Sequence, residues 1–146
     1  MNNIEELFLP YNESLELKKL GFREDCFALY DESRNNRFEF INNQLAFNHA
    51  KMYYDSKNVY PCILCPTYSQ AFKFFRDKYN WQHSIQPTAD QHRFELGYNY
   101  WIWNSKTGEE YSSEPKNRPV GDWTYETWEQ AELECIKQLI KIVKEN

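Results

Sequence analysis

The most regular pattern of apolar and polar positions lies at the end of the chain. Residues 127–144 (TWEQAELECIKQLIKIVK) place apolar side chains at steps of three and four, forming one stripe of Trp128, Ala131, Cys135, Leu139, Ile142 and Val143. This spacing matches the 3.6-residue period of an α-helix. Thr127 and Gln130 have the spacing of a capping box, which favours a helix start at this point. We therefore predict a long C-terminal helix that packs along a small sheet.

Two earlier segments also have the helical period. Residues 67–79 (TYSQAFKFFRDKY) begin with a second Thr-x-x-Gln capping box, and their aromatic stripe comprises Tyr68, Phe72, Phe75 and Tyr79. Residues 11–20 follow Pro10, which suits a first helical turn, and Gly21 stands where a left-handed residue ends a helix. This shorter helix is predicted to turn Leu15 and Leu20 inward.

An alternating pattern, typical of a β-strand, fills residues 93–103. One predicted side carries Phe94, Leu96, Tyr98, Tyr100 and Ile102, and the other carries Arg93, Glu95, Gly97, Asn99, Trp101 and Trp103. Residues 109–112 are predicted to return as its hairpin partner after a turn that contains Gly108. Residues 81–86 are predicted to form a short strand that Pro87 ends.

The N-terminal half has shorter signals. Residues 4–9 are predicted to be a short strand or an extended lead-in. Residues 26–30 and 38–40 fit the two strands of a hairpin, and residues 59–64 fit a further strand. Residues 42–58 have no clear period, and we interpret them as a long loop or irregular segment.

The order of these elements predicts the fold class. From residue 67 onward the order is helix, strand, strand, strand, helix, for which an antiparallel meander with both helices on one face is the economical packing. The N-terminal helix and hairpin are expected to extend that sheet or cover its end. We predict a single α+β domain over residues 1–146, the usual arrangement for a chain of this length.

Composition narrows the classes of partner and compartment. Aromatic residues make up 18% of the 146 residues, and the net charge is −5. The acidic balance argues against nucleic acid as a partner, because phosphate binding needs clustered Lys and Arg. The N-terminus lacks the pattern of a signal peptide, and no apolar run is long enough to span a bilayer. We expect a cytoplasmic protein that does not bind membranes and whose four cysteines are reduced.

Cys62 and Cys65 form a C-x-x-C pair with three possible interpretations. A zinc site would need two more ligands, and no second pair has ligand spacing. A redox site would need the pair at a helix start, whereas the capping signal places that start after both residues. The third interpretation is two apolar thiols at the end of a strand, and we predict no metal and no disulfide.

The sequence provides no catalytic motif. His83 and His92 flank a predicted turn and would meet across a hairpin, although such residues are more often surface or partly buried polar groups. There is no nucleophile elbow, phosphate-binding glycine loop or H-E-x-x-H. We predict a protein that is not an enzyme and has no cofactor.

Four tryptophans are the candidate binding residues: Trp81, Trp101, Trp103 and Trp123. Trp101 and Trp103 are predicted to lie on the strand side opposite Leu96. If the helices cover the Leu96 side, these indoles stand on the open face, and exposed aromatic residues often mark binding surfaces. The alternative is that the N-terminal region covers them.

Two resemblances concern larger parts of the chain. The order of elements over residues 67–143 resembles a double-stranded-RNA-binding domain, but glutamates occupy the place of its basic cluster, so no RNA-binding residue is carried over. The segments PTYSQAFKFFRDKY, WIWNSKTGEEY and TYETWEQAELECIKQLIKIVK, with LKKLGF and CFALY, resemble small uncharacterised proteins of Bacteroides-type gut bacteria, their phages and prophages. This second resemblance covers most of the chain except residues 42–58. It implies a habitat and a coherent fold, and no particular mechanism.

These observations lead to a functional hypothesis. We expect a phage or mobile-element accessory protein that acts without catalysis, by binding a host protein or by self-association. The alternative is a protein that binds or sequesters a small nucleotide-like ligand between Trp and Tyr rings.

Overall fold

The computed structural model of the protein describes residues 3–41, 62–90, 95–116 and 123–146. The chain divides into two compact units, Met1–Ala71 and Phe72–Asn146. The described residues contain α-helices and two antiparallel three-stranded sheets, which confirms the predicted α+β class. The prediction of a single domain stays a prediction.

The first unit contains a three-stranded antiparallel sheet. Its strands are β1 (Ala28–Asp31), β2 (Arg37–Phe40) and β3 (Cys62–Cys65), with β1 antiparallel to both neighbours. The predicted hairpin is therefore confirmed, but it forms this separate sheet and does not extend the sheet of the second unit. The predicted irregular segment at residues 42–58 lies outside the described residues.

Helix α1 (Tyr11–Lys19) ends as its sequence predicts. Gly21 has a φ of +93°, its N–H donates to the Lys18 carbonyl, and the Phe22 N–H donates to the Leu17 carbonyl. This pair of bonds is a Schellman motif, in which glycine adopts the left-handed conformation without steric cost.

The buried side of α1 differs from the prediction. Leu15 and Leu20 are only partly buried, while Ser14 and Leu17 are fully buried. Ser14 can occupy the core side because its hydroxyl donates to the Leu9 carbonyl at 3.3 Å, which offsets its loss of contact with water.

The segment before α1 is not the predicted strand. Ile4–Leu7 forms a short 3-10 helix. The Asn3 side chain caps it by accepting a hydrogen bond from the Glu5 N–H. Side-chain capping of this kind competes with extended structure. Only Phe8 makes a β-type bridge, to Thr67.

The second unit contains the predicted meander. Its strands are β4 (Trp81–Asp90), β5 (Glu95–Asn104) and β6 (Glu110–Ser112), antiparallel and in that order. Helix α2 (Tyr68–Tyr79) precedes them and helix α3 (Trp128–Glu145) follows. The capping boxes at Thr67 and Thr127 are both present.

Both helices lie on one face of this sheet, as predicted. The Phe72 ring of α2 stacks on His83 of β4, with centroids 3.5 Å apart and planes 5° apart. On α3, Cys135 lies close to Tyr100 of β5. Tyr100 and Ile102 are buried on this covered side.

Strand β4 continues beyond the position where it was predicted to end. Pro87 pairs with Tyr98 inside the strand. The N–H and C=O of Tyr98 bond to Tyr125 on the other side of β5, so the missing N–H of Pro87 points away from β5. A proline is tolerated in an edge strand in this orientation because no ladder bond is lost.

Helix α3 buries the predicted stripe except at its two ends, since Trp128 is exposed and Val143 is only partly buried. Its buried residues are Ala131, Cys135, Ile136, Leu139, Ile140 and Ile142. Trp128 is 42% exposed, contrary to its predicted place in the stripe. Its indole makes an edge contact with Tyr98 at 6.0 Å, and the partly exposed Tyr98 leaves the first turn of the helix incompletely covered.

Candidate binding face

The side of the second sheet opposite α3 carries the predicted tryptophan pair. Because side chains alternate along each strand, the register of β4, β5 and β6 defines which residues share this side. We call this surface the tryptophan face, and its members are Gln82, Ser84, Gln86, Asn99, Trp101, Trp103, Glu110 and Ser112.

Trp101 and Trp103 form the centre of the tryptophan face. Their ring centroids lie 4.8 Å apart at an interplanar angle of 34°, so the indoles contact each other. Trp101 pairs with Ser84 on one side and Ser112 on the other, and it keeps 36% of its surface exposed. The two small neighbours leave the sides of this indole accessible.

Trp123 covers the far end of the same side of the sheet. A Cβ placed on Gly97 would lie 1.9 Å from Cδ2 of the Trp123 indole, so this indole rests directly on the glycine. Any larger residue at position 97 would displace the ring. The sequence suggested Trp123 as a binding residue, and the structure places it on the same side of the sheet as Trp101 and Trp103.

Asn99 holds the segment that carries Trp123 against the sheet. Its side chain is buried, and its Oδ1 accepts from the Thr124 N–H at 3.0 Å. Tyr125 and Tyr98 exchange backbone hydrogen bonds of 2.8 and 3.1 Å in the same region. Asn99 therefore fixes where the covered part of the side ends and the tryptophan pair, with exposed Trp101 and partly buried Trp103, begins.

Trp81 does not join the other three tryptophans. It pairs with Asn104, at an even-numbered position of β5, and therefore faces the helices. It is only 4% exposed and its ring lies 5.9 Å from that of Tyr111. The sequence grouped Trp81 with the binding residues because residue type alone does not give the register of β4.

The C-x-x-C pair lies in β3 with its members on opposite sides of the first sheet. Cys65 pairs with Ala28 and Cys62 pairs with Asp31, and strand positions three apart face opposite ways. The Cys65 Sγ donates to the Leu9 carbonyl at 3.2 Å, and burial raises the pKa of this thiol to about 12. The arrangement fits two structural thiols.

His83 is held in the second unit by aromatic stacking on Phe72. Burial, with a smaller contribution from the Arg76 charge, lowers the pKa of His83 to about 4. The ring is therefore neutral near pH 7. His92, its predicted neighbour across a turn, lies outside the described residues, whose side chains include no group of three or more potential metal ligands.

Sequence reasoning missed an aromatic cluster in the first unit. Its rings make edge contacts at centroid distances between 5.0 and 6.0 Å, and its members are Phe8, Tyr11, Tyr30, Phe38 and Phe40. The Tyr30 hydroxyl also donates to the Leu9 carbonyl at 2.8 Å. The alternation of Phe38 and Phe40 indicated part of this cluster. Phe8 joins the cluster through contacts with residues distant in sequence, which no local pattern predicts.

Comparisons of the chain with family models, curated proteins and solved structures find no match. The resemblance to proteins of Bacteroides-type bacteria and their phages stays a prediction from the sequence. In the part of the chain that the structure describes, no helix has both the length and the apolar character for crossing a membrane.

Proposed function

We propose that this chain is a non-catalytic accessory protein that binds a protein partner through the tryptophan face. The observation that carries the proposal is the Trp101–Trp103 pair, which lies on the sheet side that α2 and α3 leave uncovered. Tryptophan is enriched among residues that contribute most to protein–protein binding, because a large rigid ring buries much surface at little entropic cost.

The neighbours of the pair support a protein partner. Around the two indoles the tryptophan face presents amide and hydroxyl groups from Gln82, Ser84 and Ser112. An apolar centre with a hydrogen-bonding rim is the usual anatomy of a protein interface. The rim excludes water from the central rings while keeping the uncomplexed surface hydrated.

The proposed biological role follows from the sequence resemblance. We propose that the protein belongs to a phage or mobile element of Bacteroides-type bacteria and that its partner is a host protein. A second copy of the chain is the other partner that the face would accept, since an exposed sheet side can form a symmetric dimer. The lack of catalytic motifs in the sequence supports a binding role.

A small nucleotide-like ligand remains the alternative. A flat base between two rings needs about 7 Å between their planes, twice the usual contact distance. Trp101 and Trp103 touch at 4.8 Å, so a base could not enter between these two indoles. The alternative places the base between a Trp and a Tyr ring, and the tryptophan face contains no tyrosine, so its geometry favours a protein partner.

The test is capture of a partner from a Bacteroides-type lysate, identification by mass spectrometry, and titration of the purified pair. We expect Trp101→Ala to weaken binding about 30-fold or more, the loss typical of a central interface tryptophan. Trp128→Ala is the matched control, because that indole is also exposed but lies on the helix side of the sheet. The affinity of the Trp128→Ala variant for the partner should stay within about twofold of the wild-type affinity.

Two outcomes would reject the proposal. One is a partner whose affinity falls with Trp128→Ala and not with Trp101→Ala. The other is the absence of any saturable partner together with sedimentation of the wild-type chain as a monomer. A wild-type dimer that Trp101→Ala converts to a monomer would identify the partner as a second copy.

A further inference from the structure

The charge pattern beside the tryptophan pair indicates the chemistry of the partner. Glu110 lies directly opposite Trp103 in the β5–β6 register, and its side chain is on the same side of the sheet. Tyr100 and Asn104 direct their N–H groups toward the β6 side, to Ser113 and Glu109, so Trp103 and Glu110 form a non-hydrogen-bonded pair. The Cα atoms in such a pair lie about 4.5 Å apart, with the side chains close together.

The other members of the tryptophan face supply no cation to the Glu110 carboxylate. It is exposed, and among the described residues it makes no ion pair. The tryptophan face contains no Lys or Arg; Lys106 belongs to the turn that joins β5 and β6. The tryptophan pair is thus bordered by one negative charge that no residue of the face neutralises.

Indole rings and a carboxylate favour the same kind of group. The face of a tryptophan ring attracts a cation through its quadrupole, and a carboxylate attracts the same cation by charge. A guanidinium is planar, so it can stack on one ring while its N–H groups donate to a neighbouring carboxylate. The pair is open on one side and does not enclose a cation, which suits a side chain that arrives from a protein surface.

We infer that Trp101, Trp103 and Glu110 bind an arginine side chain of the protein partner. The arginine stacks on the exposed indole surface and donates to the Glu110 carboxylate. This inference rests on the proposed function, because it names the partner group that the tryptophan face recognises.

The experiment titrates the full chain with the capped peptide Gly-Arg-Gly-Arg-Gly and with its citrulline analogue, which has the same shape and no charge. Indole N–H resonances in ¹H–¹⁵N spectra report binding, and Trp101→Phe and Trp103→Phe assign the two relevant peaks. We expect the arginine peptide to shift both peaks saturably and the citrulline peptide to bind at least about threefold more weakly, as an exposed cation–π contact predicts. Added salt should weaken the binding of the arginine peptide and leave the binding of the citrulline peptide unchanged.

Glu110→Gln removes the proposed charge partner, and Glu95→Gln is the matched control. Glu95 is also exposed, but it lies six strand residues from Trp101, about 20 Å along β5. We expect Glu110→Gln to weaken binding of the arginine peptide about two- to fivefold, the range for an exposed charge pair. Glu95→Gln should leave the affinity for this peptide unchanged. Equal losses in the two variants would assign the effect to net charge and overturn the inference.

The inference is also overturned if neither peptide shifts the two peaks, or if both bind with equal affinity. The captured partner separates this failure from failure of the proposed function. A partner that loses affinity with Trp101→Ala but keeps it with Glu110→Gln would sustain the proposed function and reject the arginine contact. A partner unaffected by both substitutions would reject both.

Discussion

At the scale of single residues, the burial of His83 makes the folding stability of the protein depend on pH. The pKa of His83 falls to about 4 because the ring is partly buried, with Arg76 contributing further, whereas an unfolded histidine titrates near 6.5. Between these values the unfolded chain binds the proton and the folded chain does not. Folding stability therefore decreases as the pH falls through this window, and the contribution of His83 is complete at neutral pH.

The corresponding prediction compares wild type with His83→Phe, which keeps a ring to stack on Phe72. From pH 7 to pH 5 we expect wild type to lose about 1 kcal/mol more unfolding free energy than the variant, allowing for the exposed part of the ring. Denaturant melts at pH 7, 6 and 5 measure this difference, which cancels the titration of the carboxylates common to both proteins. Parallel pH profiles would show that His83 does not titrate in this way.

At the scale of elements, helix α3 supplies most of the buried side chains that cover the second sheet. Leu139 is fully buried and Lys141, two residues on, is exposed. We expect Leu139→Ala to cost about 2–5 kcal/mol of unfolding free energy through lost burial and the cavity left behind. Lys141→Ala, the surface control, should stay within about 0.5 kcal/mol in the same denaturant melts. A silent Leu139→Ala would show that the helix does not hold the sheet together.

At the scale of the whole molecule, the four thiols report on unfolding in both units. Cys26, Cys62 and Cys65 belong to the first unit and Cys135 to the second, and all four are buried thiols. Burial is the main cause that raises their pKa values, to about 11 for Cys62 and about 12 for Cys65. Few thiolates are therefore present to react in the native state.

We expect all four thiols to react with a thiol reagent only on unfolding, and with one common dependence on denaturant. The boundary between the units falls inside α2, which has buried residues on both sides of it, Ala71 and Phe72. This helix is continuous across the boundary, so the chain should unfold cooperatively. Mass spectrometry of each labelled cysteine provides the measurement. A different denaturant dependence for Cys135 would contradict the single-domain prediction.

The sequence by itself determined the elements whose signals are local. The capping boxes at Thr67 and Thr127 fix two helix starts because the bonds involved join residues three apart. Gly21 ends α1 because few other residues adopt its φ of +93°. Alternation along β5 correctly separated Trp101 and Trp103 from Ile102, since strand side chains alternate whatever their neighbours are.

The tertiary structure decided everything that depends on which strands and segments meet. Pro87 continues β4 because that strand lies at the sheet edge, and Trp81 is buried because of the register between β4 and β5. Trp123 reaches the side of the tryptophan pair through its packing on Gly97, 26 residues earlier in the chain, and through the hydrogen bond of Asn99 to the next residue. Glu110 faces Trp103 because of how β6 pairs with β5. No local sequence pattern encodes these contacts, because strand register and packing depend on residues that are distant in sequence.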